Sequence, residues 1–185
     1  RNIFPDTIGV AQFAPDGKLL WKKWDYSHHW IDVDKDGQIY APSQRQISVN
    51  GNFEGTYIGA NCPTGAIKEE GIRIYNPDGS VSRDLWIFDS FIKSNWPGFI
   101  YSHPSGCDPA HINSVEGVTE TIAELIAGVE VGDLLVSVRE PSVVAILDGQ
   151  NGEVKYATAG RTAAQHGPQF LPDGSVVIFD NRGGN

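Results

Sequence analysis

One pattern recurs through the chain: a run of β-forming residues, a tight Asp-Gly or Asn-Gly turn, and a second β run. GVAQFAPDGKLLWKKW (residues 9–24), GIRIYNPDGSVSRDLW (71–86) and SVVAILDGQNGEVKYATAG (142–160) all carry it. Such a turn between strand-like runs is a strong hairpin signal, because glycine takes the positive φ that the turn requires. A second hairpin type follows each of these. It reads HHWIDVDKDGQIYAP (28–42), AHINSVE…GDLLVSV (110–138) and QHGPQFLPDGSVVIFD (165–180). The chain therefore reads as three copies of hairpin plus hairpin, or three units of four antiparallel strands, spaced at roughly 60–70 residues.

The expected fold is all-β, with the units as β-propeller blades of four antiparallel strands. The blades fall at about 8–70, 71–142 and 143–185, in a single partial propeller domain spanning 1–185. An irregular sandwich of about twelve strands is the alternative. Propellers close with about four to eight blades. Three blades therefore predict about half a ring, completed by the missing half of the propeller or by another copy of the chain. The ending, FDNRGGN, reads as the lead into a further blade. Only TETIAELIA (119–127), inside the second of the later hairpins, has a helical look.

Composition narrows the partners. The 185 residues carry 14 Lys+Arg against 23 Asp+Glu, a formal charge of −9. That argues against nucleic acid and against an anionic membrane surface as partners. Apolar residues make up 40% of the chain, enough to form a core, and no apolar run reaches the ~18 residues of a membrane span. The opening RNIFPDTIGV has no signal-peptide pattern, and the chain contains no Met, so the sequence reads as a mature or truncated piece. Cys62 and Cys107 form no metal-binding spacing. Either they are bridged in an oxidising compartment, or they are two free buried thiols.

A histidine opens each of the later hairpins: His29, His111 and His166. His29 and His166 each lie seven residues before the Asp of a turn, Asp36 and Asp173. Equivalent positions in successive blades point to equivalent places about the ring axis, so three imidazoles distant in sequence should converge. Asn113, two residues after His111, shares its strand face. Arg139 sits on the strand expected to pair with it. Together they make a donor-rich cationic pocket suited to a sulfate- or phosphate-like oxyanion. The plainer readings are solvated or core-capping histidines, and for Arg139 an ion pair with Glu140 or another carboxylate. Asp32, Asp34 and Asp36 (DVDKDG) resemble the start of a calcium loop, but the twelfth position falls on Ser43, so a hairpin turn rich in Asp is favoured. Trp21, Trp24 and Trp86 are expected to pack between blades, and Trp30 or Trp96 to line a pocket.

The segments HHWIDVDKDGQIY, DPAHINSVE…GDLLVSVREPSVVAILDGQNGEVKYATAG and QHGPQFLPDGSVVIFDNRG resemble the arylsulfotransferase family, most closely from 108 to 183. These are six-bladed propeller enzymes that work without a nucleotide sulfate donor. The resemblance implies sulfuryl transfer from an aryl sulfate to a phenol through a sulfohistidine, without a cofactor. It implies that His166 is the nucleophile and that His111, Asn113 and Arg139 hold the sulfuryl oxygens. His29 would serve as proton donor to the leaving phenolate or as base for the acceptor. A periplasmic or secreted setting is expected. Two other readings stand beside this one. The first is a non-catalytic propeller that binds a ligand or scaffolds. The second is a metal-dependent hydrolase or lyase with His29, His111 and His166 as ligands, which the Arg139 charge disfavours.

Overall fold

Turns of one kind set the strand registers. In the computed structural model, which describes residues 8–47, 52–53, 56–57, 62–63, 65–101 and 106–181, Gly17, Gly37, Gly79 and Gly174 all have φ between 78° and 85°. Each donates its N–H to the carbonyl three residues back, at 2.9–3.0 Å. The residue bearing that carbonyl donates in turn to the residue after the glycine, as in Ala14 N to Lys18 O at 2.9 Å. This is the three-residue hairpin loop in which a type I turn ends on a left-handed residue. The turn at Gly152 is one residue longer, closed by Asp148 N to Glu153 O at 2.8 Å.

The strands so joined are β1 (Gly9–Phe13), β2 (Leu19–Trp24), β3 (Asp32–Val33), β4 (Ile39–Ile47), β5 (Asn52–Phe53), β6 (Thr56–Tyr57), β7 (Ile67–Tyr75), β8 (Val81–Trp86), β9 (Ile112–Gly117), β10 (Leu134–Val138), β11 (Val143–Leu147), β12 (Val154–Ala159), β13 (His166–Phe170) and β14 (Val176–Phe179). They form two four-stranded antiparallel blades, ordered β3-β4-β7-β8 and β9-β10-β11-β12. The hairpins β1-β2 and β13-β14 flank them in sequence, and β5-β6 lies in the connection from β4 to β7. The fold is all-β, and the twelve strands outside β5-β6 amount to three blades' worth.

The blades are grouped one hairpin out of phase with the division at 8–70, 71–142 and 143–185. Each sheet joins a later-type hairpin to the earlier-type hairpin that comes next in sequence. The sheets therefore span 32–86 and 112–159. The nine-residue ladder from Ile39↔Tyr75 to Ile47↔Ile67 makes this pairing. A turn signal fixes the partner inside a hairpin but carries nothing about which neighbouring hairpin completes the sheet.

Two helices besides the expected one appear. α1 (Ile87–Ile92) and α2 (Gly98–Tyr101) follow β8, and α3 (Glu120–Leu125) lies inside the expected helical stretch. α1 is rich in aromatic and β-branched residues of modest helix propensity. It forms because Ile87, Phe88 and Phe91 are all fully buried in the core.

Strand β10 is buried on both faces, and alternation divides its side chains. Leu134, Val136 and Val138 join Ile72, Ile74, Phe88 and Phe91 in the core between the two blades. Leu135 turns the other way, to Ile122 of α3 with Phe170 of β13 alongside. Val10 packs the first hairpin on Ile39, Ala41 and Tyr75. Trp21 stacks on Tyr75 at 6.2 Å between centroids, as expected of a residue between blades. Trp24 instead is 62% exposed, and Trp86 lies under the Arg45 guanidinium at 4.2 Å.

Cys62 and Cys107 are bridged, across a sequence separation of 45 residues. The bridge ties the approach to β7 to the approach to β9, beside a hydrogen bond from Lys68 N to Cys107 O at 2.8 Å. Closing a loop of this length restricts the unfolded chain. Cys107→Ser is therefore expected to lower folding stability by about 2–4 kcal/mol, read as a drop in denaturant midpoint. The wild-type protein under reducing conditions should show the same drop, and an unchanged midpoint would refute it.

Candidate active site

The inner strands β3, β9 and β13 bring the three histidines to corresponding ends of their sheets. Just before β3, Trp30 bridges Ser114 of β9 in a parallel sense. His29 and His111, just upstream of their strands, therefore meet, with ring centroids 5.1 Å apart. Both residues sit in the left-handed region, with φ of 58° and 53°. A non-glycine residue there costs on the order of 1–2 kcal/mol, and such strain gathers at functional sites.

His166 is held from below. Gln165 is fully buried, and its carbonyl accepts from Asn113 Nδ2 at 2.8 Å and from Ser137 Oγ at 3.2 Å. Its own amide donates to Val143 O at 3.0 Å. The His166 ring places Nδ1 3.1 Å from Ala164 O, and Asn181 Nδ2 donates to the same carbonyl at 2.7 Å. Asn181 Nδ2 also stands 3.0 Å from Nδ1; in the tautomer that donates Nδ1–H to Ala164 O, the lone pair lies on Nε2. Burial lowers the His166 pKa, and the charges of Arg139 and His111 act in the same direction.

Arg139 N donates to His111 O at 3.0 Å, which fixes the start of its side chain beside the histidine. Its guanidinium pairs with Glu140, the ion pair that the sequence offered as the plainer reading. Its charge still bears on both His111 and His166. Asn113 differs from expectation. It is 3% exposed and its amide is engaged with the Gln165 carbonyl, so it positions the His166 backbone.

His29 and His111 share a small cleft with three further residues, Asp108, His28 and Glu70, and His166, Asn113 and Arg139 lie outside its lining. Asp108 Oδ2 lies 2.9 Å from His111 Nδ1. His28 Nδ1 lies 2.6 Å from His29 Nδ1, and His28 Nε2 lies 3.0 Å from Oε2 of Glu70. Glu70 is carried on β7 opposite Gln44 of β4 and is 1% exposed. Asp108 was within reach of sequence reasoning, three residues before His111. Glu70 was not, because only the β4-β7 register brings it there.

These surroundings shift the histidines in opposite directions. Burial lowers both His28 and His29 to about 4, so both are neutral near pH 7. The Asp108 hydrogen bond raises His111 above the usual imidazole value. Burial tends to raise Asp108, but the hydrogen bond and charge of His111 outweigh it and the net shift is downward. Burial, with the Asp108 charge second, raises Glu70 well above the carboxylate range. Histidine NMR checks this division. The His28 and His29 signals are expected to move only near pH 4, and the His111 signal above the ordinary imidazole midpoint. A common midpoint for all three would contradict it.

The calcium-loop resemblance does not become a site. Asp34 Oδ1 accepts from Asp36 N and Gln38 N, both at 2.9 Å, and Oδ2 accepts from Tyr40 Oη at 2.9 Å. Asp32 Oδ2 accepts from Gly117 N at 2.8 Å. These carboxylates shape the turn and tie it to β9. Among the described residues, no three His, Cys, Asp or Glu side chains are grouped to hold a metal ion. Trp30 is 61% exposed, and Trp96 packs on the core between the blades.

Fold and cleft together define a propeller-type protein that gathers imidazoles, a guanidinium and carboxyl groups where its inner strands begin. A family model described as Arylsulfotransferase (ASST) matches residues 20–185, and the chain belongs to this family. A search of curated proteins finds no significant match.

Proposed function

We propose that this chain transfers a sulfuryl group from an aryl sulfate to a phenol through a sulfohistidine at His166. Family membership supports transferase chemistry of this kind. The observation that carries the assignment is the His166 ring, whose Nδ1 faces Ala164 O and leaves Nε2 as the nucleophilic nitrogen. In the first half-reaction an N–S bond forms at Nε2 and the S–O(aryl) bond breaks, its electron pair passing to the aryl oxygen. His111 gives that oxygen a proton from Nε2, the nitrogen not facing Asp108. In the second half the acceptor phenol returns a proton to His111, its oxygen attacks sulfur, and the N–S pair goes back to His166. The resemblance gave the donor role to His29. Its lowered pKa makes it neutral at pH 7, so His111 takes that role here. Arg139 supplies charge for the sulfuryl oxygens, as electrostatic stabilisation of a transferring anionic group requires.

The test is direct. Incubation with p-nitrophenyl sulfate should add the mass of one sulfuryl group, mapped to His166, and a phenol should then discharge it. Failure to label any histidine would remove the proposal and leave the ligand-binding reading. The Cys62–Cys107 disulfide supports a periplasmic or secreted setting. The charge of −9 favours small-molecule partners over nucleic acid.

A further inference from the structure

Glu70 has no part in the chemistry above, yet it is the least exposed ionisable group of the cleft, at 1%. Its Oε2, the Oδ1 of Asp108 and the Nε2 of His28 are all buried without a well-aligned hydrogen-bond partner. If both carboxyl groups were ionised, two negative charges would line one cleft with Glu70 Oε2 and Asp108 Oδ1 out of contact with water. That arrangement is costly, and one added proton relieves it.

We infer that Glu70 is a positioning residue: as a neutral carboxylic acid it shares its proton with Asp108 and so keeps that carboxylate aimed at His111 Nδ1. The groups around Glu70 pull in both directions, and those favouring its neutral form come first. Lys68, on its own strand, and His111 favour ionisation of Glu70, but burial and the Asp108 charge oppose it and come first. His28, from the segment before β3, is neutral and adds no charge to hold an ionised Glu70. Asp108 is lowered, so the shared proton belongs chiefly to Glu70. The consequence runs through Asp108. A carboxylate held in place keeps His111 protonated at Nδ1, leaves Nε2 to exchange the proton with substrate, and raises the imidazole pKa. The use of that proton in catalysis rests on the sulfuryl-transfer reading. The sharing between Glu70 and Asp108 does not.

Two measurements on the whole chain test it, neither of which needs turnover. The first is the His111 NMR titration in wild type, Glu70→Gln, Glu70→Ala and Asp108→Asn. Glutamine is neutral and still donates to Asp108, so Glu70→Gln should retain the raised His111 midpoint. Asp108→Asn should lower it by about one pH unit or more, and Glu70→Ala should lower it partway. The second is the infrared carbonyl band of a buried carboxylic acid, present at pH 7 in wild type and absent in Glu70→Gln. That band decides the matter if Glu70→Ala does not fold. An absent band, or one that survives Glu70→Gln, overturns the inference, as does a His111 midpoint falling as far in Glu70→Gln as in Asp108→Asn. If instead these results hold and no sulfohistidine forms, the sulfuryl-transfer reading alone has failed.

Discussion

His166→Ala is expected to abolish the burst of phenol release from an aryl sulfate, with a loss of about 10³-fold or more in transfer rate. Alanine removes the atom that would carry the sulfuryl group, and His28, His29 and His111 offer no substitute. Burial lowers His28 and His29 to about 4, making them weak bases, and the Asp108 hydrogen bond shifts His111 upward, so that its ring is less available as a nucleophile. The fold should tolerate the change. The backbone at 165 stays anchored through Asn113, Ser137 and Val143, and the His166 ring is only partly buried. Unchanged circular dichroism with lost labelling is the expected outcome. A variant that still forms the covalent adduct would show that another residue is the nucleophile.

Arg139→Ala is expected to slow transfer by about 10²–10³-fold, the usual scale for removing one donor aimed at developing charge. The loss should fall mainly on kcat, because the charge it offsets develops as the sulfuryl group leaves. Arg139→Lys should recover only part of it, since an ammonium lacks the planar fork that grips two oxygens. The Glu140 ion pair adds a check, because substrate must share or displace that carboxylate. Kinetics of the two variants at saturating p-nitrophenyl sulfate decide the point. A rate within a factor of three of wild type in Arg139→Ala would assign the guanidinium to Glu140 alone.

The sequence disclosed whatever is written in local turn chemistry. Asp16-Gly17, Asp36-Gly37, Asp78-Gly79 and Asp173-Gly174 are readable because only glycine takes the left-handed step cheaply, and the hairpins follow from them. The meeting of His29 with His111 was readable as well, since each opens a hairpin of the later type and so falls at an equivalent strand end. Pairing between hairpins was not. Ile39↔Tyr75 joins residues with nothing in their local text to mark them as neighbours. That one register also hid Glu70, and with it the environment that shifts the His28 and His111 pKa values in opposite directions. α1 escaped notice because buried Phe88 and Phe91 hold it, and burial is a property of the assembled core. Asn113 was placed on the right face, but the partner it finds, the Gln165 carbonyl, belongs to the next inner strand's approach.

The positive φ of His29 and His111 carries a consequence for how such a cleft persists through descent. Glycine at either place would relieve roughly 1–2 kcal/mol of backbone cost, so drift under pressure for robustness alone runs toward a sturdier chain with an emptied centre. Lineages that keep imidazoles there are being held against that slope by what the rings do. A glycine at both positions in a descendant would mark a copy that has retired from chemistry while keeping its architecture.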